Sequence, residues 1–501
     1  MNVANNLDTA ARFFPDRPAI SENDSEISYR ELNCRANRVA TGLIKLGIIP
    51  GDLIGVCAPN STDWITFYFG VLKAGAVAVT LSCQLRTDEL ELLLTHARPR
   101  FLLSTDEISS KIERFRDAAG IEKVFSPSAS ISLPKLMELG INDFQAVERR
   151  RYDTASVLYT GGTTGTPKGV MLTHENINVS SHNVAYSERS SQMDRALCCL
   201  PLNHVFGQIH IMNATIFSCG CIELLPSYDL DLTLGRTASG KVTKFYAVPT
   251  IYTRLLTVEG LKKRLGNVRY CFSAAASMAG EIVRKWKELT DLTIFEGYGM
   301  TESSSAVTYN HFFEHVTGSV GTEVPGVEVQ IRDEQGAVLP KGSEGEICIR
   351  GRNIMKGYLN NDEDTRRAFR DEEWFRSGDV GILDDRGYLF IVDRLKDMII
   401  TGGENVYPRE VEEILFSRSD VQECAVVGIP DKEWGERVTA FVTPYPGQNT
   451  TPEELKAYLK QRLASYKVPK QYIIVNELPK NSTGKILKRE IRRRFSEENS
   501  E

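Results

Sequence analysis

The spacing of apolar residues predicts an alternation of helices and strands over roughly the first 400 residues. Residues 29–46 have the three-and-four spacing of an amphipathic helix, and this pattern stops at Gly47. The alternation indicates an α/β domain. Further strand-like and helix-like segments follow in turn at residues 53–58, 63–73, 77–81, 245–248 and 270–273.

The pattern changes after residue 326. Residues 327–349 show short alternating strands with turns between them, which predicts an antiparallel β subdomain. A new unit begins near Asp393, and its segments predict a small α+β domain. We therefore expect a large N-terminal α/β domain of several subdomains at residues 1–393, and a small, mobile C-terminal domain at residues 394–501. The segments of the small domain lie at residues 410–415, 423–427, 439–443 and 453–463.

Composition narrows the class of protein. The 501 residues are 42% hydrophobic and 25% charged, which is typical of soluble globular proteins of more than one domain. The net charge of −6 argues against a nucleic-acid partner. The ten cysteines lack zinc spacing and suit a reducing cytosol. The N-terminus resembles no secretory signal, and Lys73 interrupts the longest apolar run, so we expect a cytoplasmic protein without an integral membrane segment, as a monomer or homodimer.

A loop rich in glycine and threonine is the strongest chemical signal. It has the sequence Tyr159-Thr-Gly-Gly-Thr-Thr-Gly-Thr-Pro-Lys-Gly169 between two apolar segments. Glycines let backbone N–H groups curve around an anion, hydroxyls add donors, and Lys168 supplies positive charge. The spacing of the common nucleotide-binding loop is absent, since Lys168 is followed by glycine. A polyphosphate-binding loop is favoured over a mobile surface loop.

Three weaker clusters carry functional side chains. Residues 297–302 place Tyr298 between two glycines, where it can stack on a planar base, and Glu302 can hold Mg²⁺. Asp379 follows Ser-Gly in what reads as a tight turn, where its carboxylate could accept two ribose hydroxyls. Lys485 follows a glycine-containing turn. Each cluster taken alone is more often structural.

Together and in this order, these segments resemble the adenylate-forming superfamily, which includes acyl- and aryl-CoA synthetases, firefly luciferase and peptide-synthetase adenylation domains. The resemblance covers almost the entire chain. Further matches are Leu200-Pro-Leu-Asn-His204-Val-Phe-Gly207, Asp393-Arg394-Leu-Lys396-Asp397 and Gly402-Gly-Glu-Asn-Val-Tyr-Pro408. The resemblance implies that an acid reacts with ATP to give acyl-AMP and pyrophosphate, after which a thiol, usually that of CoA, displaces AMP.

The resemblance also implies roles for single residues. The loop at residues 160–168 would hold the β- and γ-phosphates, and Glu302 with Thr164 would bind Mg²⁺. Asp379 and Arg394 would bind the ribose, and Tyr298 would stack on adenine, with residues 274–276 on its other side. The implied catalytic residues are Lys485, Thr301, Glu302 and His204. The implied ATP and AMP contacts are Thr160, Gly161, Gly162, Thr163, Thr164, Gly165, Lys168, Ala274, Ala275, Glu296, Gly297, Tyr298, Gly299, Asp379 and Arg394.

In this family the small domain rotates between the two half-reactions. The resemblance places Lys396 at the hinge, and it implies that Gly402, Gly403 and Glu404 line the tunnel for CoA. The twelve Lys and Arg residues between 456 and 494 indicate either a solvated helical face or attraction to a phosphorylated ligand such as CoA.

The identity of the acid is less constrained. No carboxylate follows the Leu-Pro-Leu segment, which disfavours an amino acid and leaves a fatty or aryl acid. His204 could gate the carboxylate or be a packed histidine, while Gly297 and the alanines at 274–276 leave room for a medium or long chain or an aryl ring. Candidate pocket residues are Phe206, His210, Asn213, Val248, Thr250 and Gly297.

Two alternatives differ in class. The acyl group could pass to the phosphopantetheine of an acyl-carrier protein instead of to CoA. A non-catalytic nucleotide-binding relative is disfavoured because Lys168, Glu302, Asp379 and Lys485 are all present.

Overall fold

The computed structural model describes residues 1–160, 167–481 and 484–498. Its regular elements alternate as the apolar pattern predicts. The strands are β1 Pro18–Glu22, β2 Ser25–Ser28, β3 Leu53–Cys57, β4 Val77–Thr80, β5 Phe101–Ser104, β6 Lys123–Phe125, β7 Thr154–Thr160, β8 Lys168–Thr173, β9 Arg195–Cys198, β10 Cys221–Leu224, β11 Lys244–Ala247, β12 Tyr270–Ser273, β13 Ile294–Tyr298, β14 Thr308–Tyr309, β15 Thr322–Glu323, β16 Val327–Arg332, β17 Glu344–Gly351, β18 Gly357–Tyr358, β19 Phe369–Arg370, β20 Trp374–Leu383, β21 Leu389–Arg394, β22 Ile399–Thr401, β23 Glu404–Val406, β24 Val421–Asp431, β25 Gly435–Pro444 and β26 Gln471–Ile474.

Helices connect most of these strands, and several begin at side-chain caps. The hydroxyl of Ser28 accepts the N–H of Glu31 at 3.2 Å, at the start of the second helix. The α-helices are α1 Asn5–Phe13, α2 Tyr29–Lys45, α3 Thr62–Lys73, α4 Thr87–Ala97, α5 Asp106–Ile112, α6 Leu133–Leu139, α7 His174–Ser187, α8 Ala214–Phe217, α9 Leu230–Ala238, α10 Pro249–Leu255, α11 Leu261–Arg264, α12 Gly280–Thr290, α13 Asp362–Ala368, α14 Pro408–Phe416, α15 Pro452–Lys460 and α16 Lys488–Glu498. Phe206–Asn213 is a π-helix, and Thr301–Ser303 and Leu395–Asp397 are single 3₁₀ turns.

Two mixed sheets form the large domain. One has the strand order β15-β14-β13-β12-β11-β9-β10-β1-β2, and the other has the order β18-β8-β7-β4-β3-β5-β6. The central strands β3, β4 and β5 pair in parallel and are apolar on both faces, because helices cover both sides of such a sheet. Strands β7 and β8 are antiparallel, with Thr160 opposite Lys168, so the glycine- and threonine-rich loop joins a hairpin.

Antiparallel pairing dominates the rest of the chain. Strands β16, β17, β20, β19 and β21 form the expected antiparallel subdomain. The last sheet, made of β22 to β26, belongs to the small C-terminal domain, whose buried apolar residues lie between 399 and 491. The predicted mixed α/β fold with a large and a small domain is confirmed.

One local prediction is wrong. Asp379 does not lie in a tight turn but inside strand β20. Gly378 has a φ of +71°, and Arg376 and Val380 pair with Cys348 and Glu346, so the strand carries extra residues in a bulge. Gly378, which the sequence indicates as part of a turn, instead forms a bulge that changes the orientation of Asp379 within the strand.

Two further findings concern the whole chain. In the described part of the structure, no helix is long and apolar enough to cross a membrane. All ten cysteines are free, and seven of them are buried, as expected for small apolar side chains.

Candidate active site

Strands β13, β20 and β21 bring three predicted residues together. The Tyr298 hydroxyl donates to Asp379 Oδ2 at 2.6 Å, and Arg394 Nε lies 3.2 Å from Asp379 Oδ1. Asp379 and Arg394 are opposite one another in the β20–β21 ladder, which fixes their spacing. The carboxylate is thus held between a phenol and a guanidinium, in a position suited to accepting hydroxyl groups.

A second set of side chains surrounds Lys168. Its Nζ atom lies 2.9 Å from Asp364 Oδ2 and 4.9 Å from the centre of the Tyr358 ring. The Tyr358 hydroxyl in turn donates to Glu302 Oε1 at 3.1 Å. Tyr358 therefore links the lysine of the glycine-rich loop to the carboxylate expected at the metal.

The sequence analysis did not identify Tyr358 or Asp364. Strand β18, which contains Tyr358, has two residues, and it is placed by pairing with β8, nearly two hundred positions earlier in the chain. Asp364 lies in the first turn of α13, where three acids read as ordinary helix-start residues. Five predicted phosphate contacts, Gly161, Gly162, Thr163, Thr164 and Gly165, fall outside the described residues.

The small domain carries Lys485 to this region. Gly484 has a φ of +84°, and its carbonyl accepts a hydrogen bond from Thr250 Oγ1 of the large domain at 3.3 Å. Asn481 Oδ1 holds the Lys485 N–H at 2.9 Å. Burial and the positive charge of Arg394 lower the pKa of Lys485 to about 7, against the opposing effect of Asp379. Lys485, Asp379 and Arg394 therefore form one cluster across the domain boundary.

His204 faces the same cluster. Burial, with a smaller contribution from Lys485, lowers the pKa of His204 to about 4, so the ring is neutral at pH 7. Its Nδ1 atom accepts the backbone N–H of Phe206 at 3.2 Å, which assigns the ring proton to Nε2. His204 can thus donate one hydrogen bond into the space beside Lys485.

Two glutamates lie in β13 and in the 3₁₀ turn that follows it: Glu296 is buried and Glu302 is partly buried. Burial raises the pKa of Glu302 and raises that of Glu296 to about 8. Glu296 is 4% exposed, and among the described residues its Oε1 atom has no hydrogen-bond partner. Thr301, between them, is buried at the start of a 3₁₀ turn.

The glycines around Tyr298 serve close packing. A Cβ atom on Gly299 would lie 1.3 Å from the Ser305 carbonyl oxygen, and one on Gly297 would lie 2.8 Å from the Phe272 ring. Phe272 therefore packs against the Cβ side of Gly297, and the expectation that this glycine leaves room for the acid stays a prediction. Ala275, next to the proposed adenine site, has a φ of +71°, an uncommon conformation for a residue with a Cβ atom.

The remaining pocket candidates are buried, except for Thr250, which is partly exposed. Val248 lies against the Gly484 turn, and Asn213 Nδ2 donates to the Gln208 carbonyl within the π-helix at 2.8 Å. His210 Nε2 lies 2.9 Å from Glu188 Oε1. These residues form a packed wall behind His204.

The residues proposed for the hinge and the CoA tunnel lie elsewhere in the small domain. Lys396 is in the 3₁₀ turn directly after β21. Gly402, Gly403 and Glu404 are at the exposed end of the β22–β23 hairpin, where the Gly402 N–H donates to the Trp434 carbonyl at 2.8 Å. The structure does not bring these three residues to the cluster around Lys485.

The Asp393 carboxylate spans the domain boundary. Its Oδ1 atom accepts the N–H of Arg394 at 2.7 Å, and its Oδ2 atom accepts the N–H of Arg409 at 2.8 Å. Arg394 ends β21, and Arg409 lies in the first turn of α14. One side chain therefore ties the last strand of the large domain to the first helix of the small one.

The described residues contain no group of three or more His, Cys, Asp or Glu side chains that could hold a metal ion by itself. Glu302 nevertheless fits a Mg²⁺ ion that takes its other ligands from phosphate oxygens and water, since Mg²⁺ commonly uses one or two carboxylates in this way.

Comparison with known proteins identifies relatives along almost the whole chain. A family model described as AMP-binding enzyme matches residues 7–359, and one described as AMP-binding enzyme C-terminal domain matches residues 410–485. A long-chain-fatty-acid–CoA ligase of Bacillus subtilis is 34% identical, over 99% of this chain and 94% of that protein. A feruloyl-CoA synthase of an Amycolatopsis species is 34% identical, over 97% of each chain. The crystal structure of ATP-bound MatB from Rhodopseudomonas palustris superposes with a TM-score of 0.92 at 34% identity, covering 99% of each chain.

Proposed function

We propose a function from the family to which this chain belongs, the AMP-binding enzymes. The cluster around Lys485 would be the site at which the protein converts a carboxylic acid to its CoA thioester in an ATP-dependent reaction. The enzyme is an acid–CoA ligase of the AMP-forming type. The observation that carries the assignment of the site is the position of Lys485, which reaches from the small domain to Asp379 and His204 of the large one and to Arg394 at the boundary.

In the first half-reaction a carboxylate oxygen attacks the α-phosphorus of ATP. A new oxygen–phosphorus bond forms, the bond to the β-phosphate oxygen breaks, and pyrophosphate leaves. Such transfers depend on positioning and charge neutralisation more than on covalent catalysis. We propose that Lys485 neutralises charge between the carboxylate and the α-phosphate, while His204 and Thr301 orient the reacting groups.

The nucleotide contacts follow from the same geometry. Asp379, held by Tyr298 and Arg394, is placed to accept the ribose hydroxyls. Lys168 would break its ion pair with Asp364 and bind the polyphosphate instead. Glu302 would hold Mg²⁺, which when bound offsets the negative charge of the phosphates. Glu296 and Ala275 would lie at the adenine.

In the second half-reaction the CoA thiol attacks the acyl carbonyl, and the bond to AMP breaks. We propose that the small domain rotates for this step about Lys396, which would withdraw Lys485 and bring Gly402, Gly403 and Glu404 to the thiol. The separate apolar core at residues 399–491 supports movement as one body. The homologous CoA ligases favour CoA over a carrier-protein acceptor.

A release assay tests this function. Purified protein with ATP and Mg²⁺ is incubated with a panel of fatty, aromatic and dicarboxylic acids, with CoA added or withheld. We expect acid-dependent pyrophosphate release, and acyl-CoA together with AMP only when CoA is present. Formation of ADP would contradict the proposal, as would acyl transfer to a holo-carrier protein without transfer to free CoA.

A further inference from the structure

We infer that the acid is short, with no more than about four carbon atoms, and that His210 is the side chain that sets this limit. This inference rests on the proposed function and adds the substrate class. The relatives do not decide it, because they include ligases named for long-chain fatty acids and for the bulky aromatic acid ferulate.

The position of the carboxylate follows from Lys485 and His204. The Gly484 turn closes over Val248 and Thr250, so the acid can extend only away from the small domain and into the large one. Phe206 follows His204 by two residues, and its backbone N–H donates to the Nδ1 atom of His204.

Beyond His204 the interior is filled with rings. The centres of the Phe206 and His210 rings are 4.9 Å apart, and those of His210 and Phe272 are 4.5 Å apart. Phe272 also occupies the space beside Gly297. Phe206, His210 and Phe272 are 3%, 2% and 1% exposed, so almost no room is left among these three rings. A chain that passes His204 meets this wall at once.

Hydrogen bonds hold the wall in place. Glu188 Oε1 pairs with His210 Nε2 at 2.9 Å, and Glu188 Oε2 accepts from Lys244 at 3.0 Å and from Tyr246. The Tyr309 hydroxyl lies 2.8 Å from His210 Nε2, and Ser305 Oγ lies 3.2 Å from Nδ1. Rotating His210 aside would leave a buried carboxylate with one partner fewer, which is costly. The ring is therefore a fixed end to the pocket, not a movable lid.

The accessible side chains lie in front of this wall. Thr250, which bonds to the Gly484 turn, Ala274, and Ser305, which bonds to His210, are partly exposed, whereas Phe206, His210 and Phe272 are buried. We expect this side of the wall to accept a short acid, whether it ends in a methyl group or a second carboxylate.

Measurement of kcat/KM for acyl-CoA formation with acetate, propionate, butyrate, malonate, hexanoate, palmitate and benzoate tests the limit. We expect the best acid to have two to four carbons, and hexanoate, palmitate and benzoate to be at least about 100-fold poorer. A higher value for hexanoate, palmitate or benzoate would overturn the size limit and leave the ligase function intact. No turnover with any acid, in this or a wider panel, would overturn the ligase function itself.

Two variants test whether His210 sets the limit on the length of the acid. His210→Ala should raise the ratio of hexanoate to butyrate kcat/KM by at least about tenfold, with the KM for ATP unchanged. His182→Ala removes an exposed histidine that stacks on Tyr186 and should leave the ratio unchanged. If His210→Ala does not fold, Phe206→Ala provides the same test on the other side of the wall. An unchanged ratio in a folded wall variant would contradict the role of His210.

Discussion

Lys168 and Asp364 form an ion pair of 2.9 Å, although they lie at opposite ends of a long stretch of chain. The hydrogen bond from Lys168 lowers the pKa of Asp364 and keeps it ionised. The lysine expected to bind phosphate is therefore already neutralised, and ATP has to compete with a carboxylate for it.

Asp364→Asn should lower the KM for ATP by about two- to fivefold without lowering kcat, since a partly exposed ion pair contributes roughly 0.2–1 kcal/mol. Initial rates of pyrophosphate release against ATP concentration measure this. Asp362→Asn makes the same charge change on the same helix and should leave KM unchanged. A rise in KM for Asp364→Asn would show that Asp364 positions the lysine instead of competing with ATP.

Lys485→Ala should abolish acyl-AMP formation and leave thiolysis of supplied acyl-AMP by CoA largely intact. The reason is that Lys485 lies with Asp379 and Arg394 in the arrangement described here, while the second half-reaction is proposed to proceed after it has withdrawn. The two half-reactions are measured separately. Equal losses in both would rule out this division of roles.

Activity in the first half-reaction should depend on the proton of Lys485. Because its pKa is lowered to about 7, the ammonium form disappears as pH rises through 7, and kcat/KM for ATP should fall above that pH. Lys485→Arg keeps its charge over this range, so its profile should be flat between pH 6 and 9, at a lower absolute rate. The same decline in both proteins would assign it to another group.

Tyr298→Phe should raise the KM for ATP roughly tenfold, because it removes a hydrogen bond to an ionised carboxylate while keeping the ring. Tyr388→Phe is the matched control, since its hydroxyl donates to the Glu314 backbone carbonyl at 3.0 Å and not to a carboxylate. Equal KM values for wild type and Tyr298→Phe would show that Arg394 alone positions Asp379.

Glu296→Gln should stabilise the protein at pH 8 and have little effect near pH 4.5. The folded state holds the Glu296 proton up to about pH 8, whereas an unfolded glutamate loses it near its ordinary pKa of 4.5. Stability from this group is thus complete at low pH and is lost as pH rises toward 8, at up to about 1.4 kcal/mol per pH unit. Urea unfolding at pH 5, 6.5 and 8 measures this, with Glu288→Gln on the exposed face of α12 as control. An equal shift at every pH would contradict the mechanism.

The sequence predicts the strands well where both faces are buried. Residues 77–81 and 270–273 agree with β4 and β12 to within one residue, because an uninterrupted apolar run has a clear beginning and end. Pairing between distant segments leaves no such signal. Tyr358 and Asp364 reach Lys168 only because β18 adds to β8.

Local sequence patterns also give wrong predictions where the same residue type is compatible with two backbone conformations. Ser-Gly before Asp379 indicates a turn, but the same glycine conformation builds a bulge in β20. After His204 the chain forms a π-helix, which the pattern of apolar residues does not distinguish from an α-helix. Gly297 suggests open space, whereas the structure shows that the Phe272 ring packs against its Cβ side.

The Asp393 carboxylate accepts hydrogen bonds from the backbone N–H groups of both Arg394 and Arg409, and these two bonds bear on the order in which substrates bind. With the boundary tied and Lys485 inserted, the arrangement described here is the one that we propose receives ATP and the acid. CoA would bind only after pyrophosphate has left and the hydrogen bond between Arg409 and Asp393 has broken. We therefore expect a ping-pong kinetic pattern, in which ATP and the acid bind and pyrophosphate leaves before CoA binds.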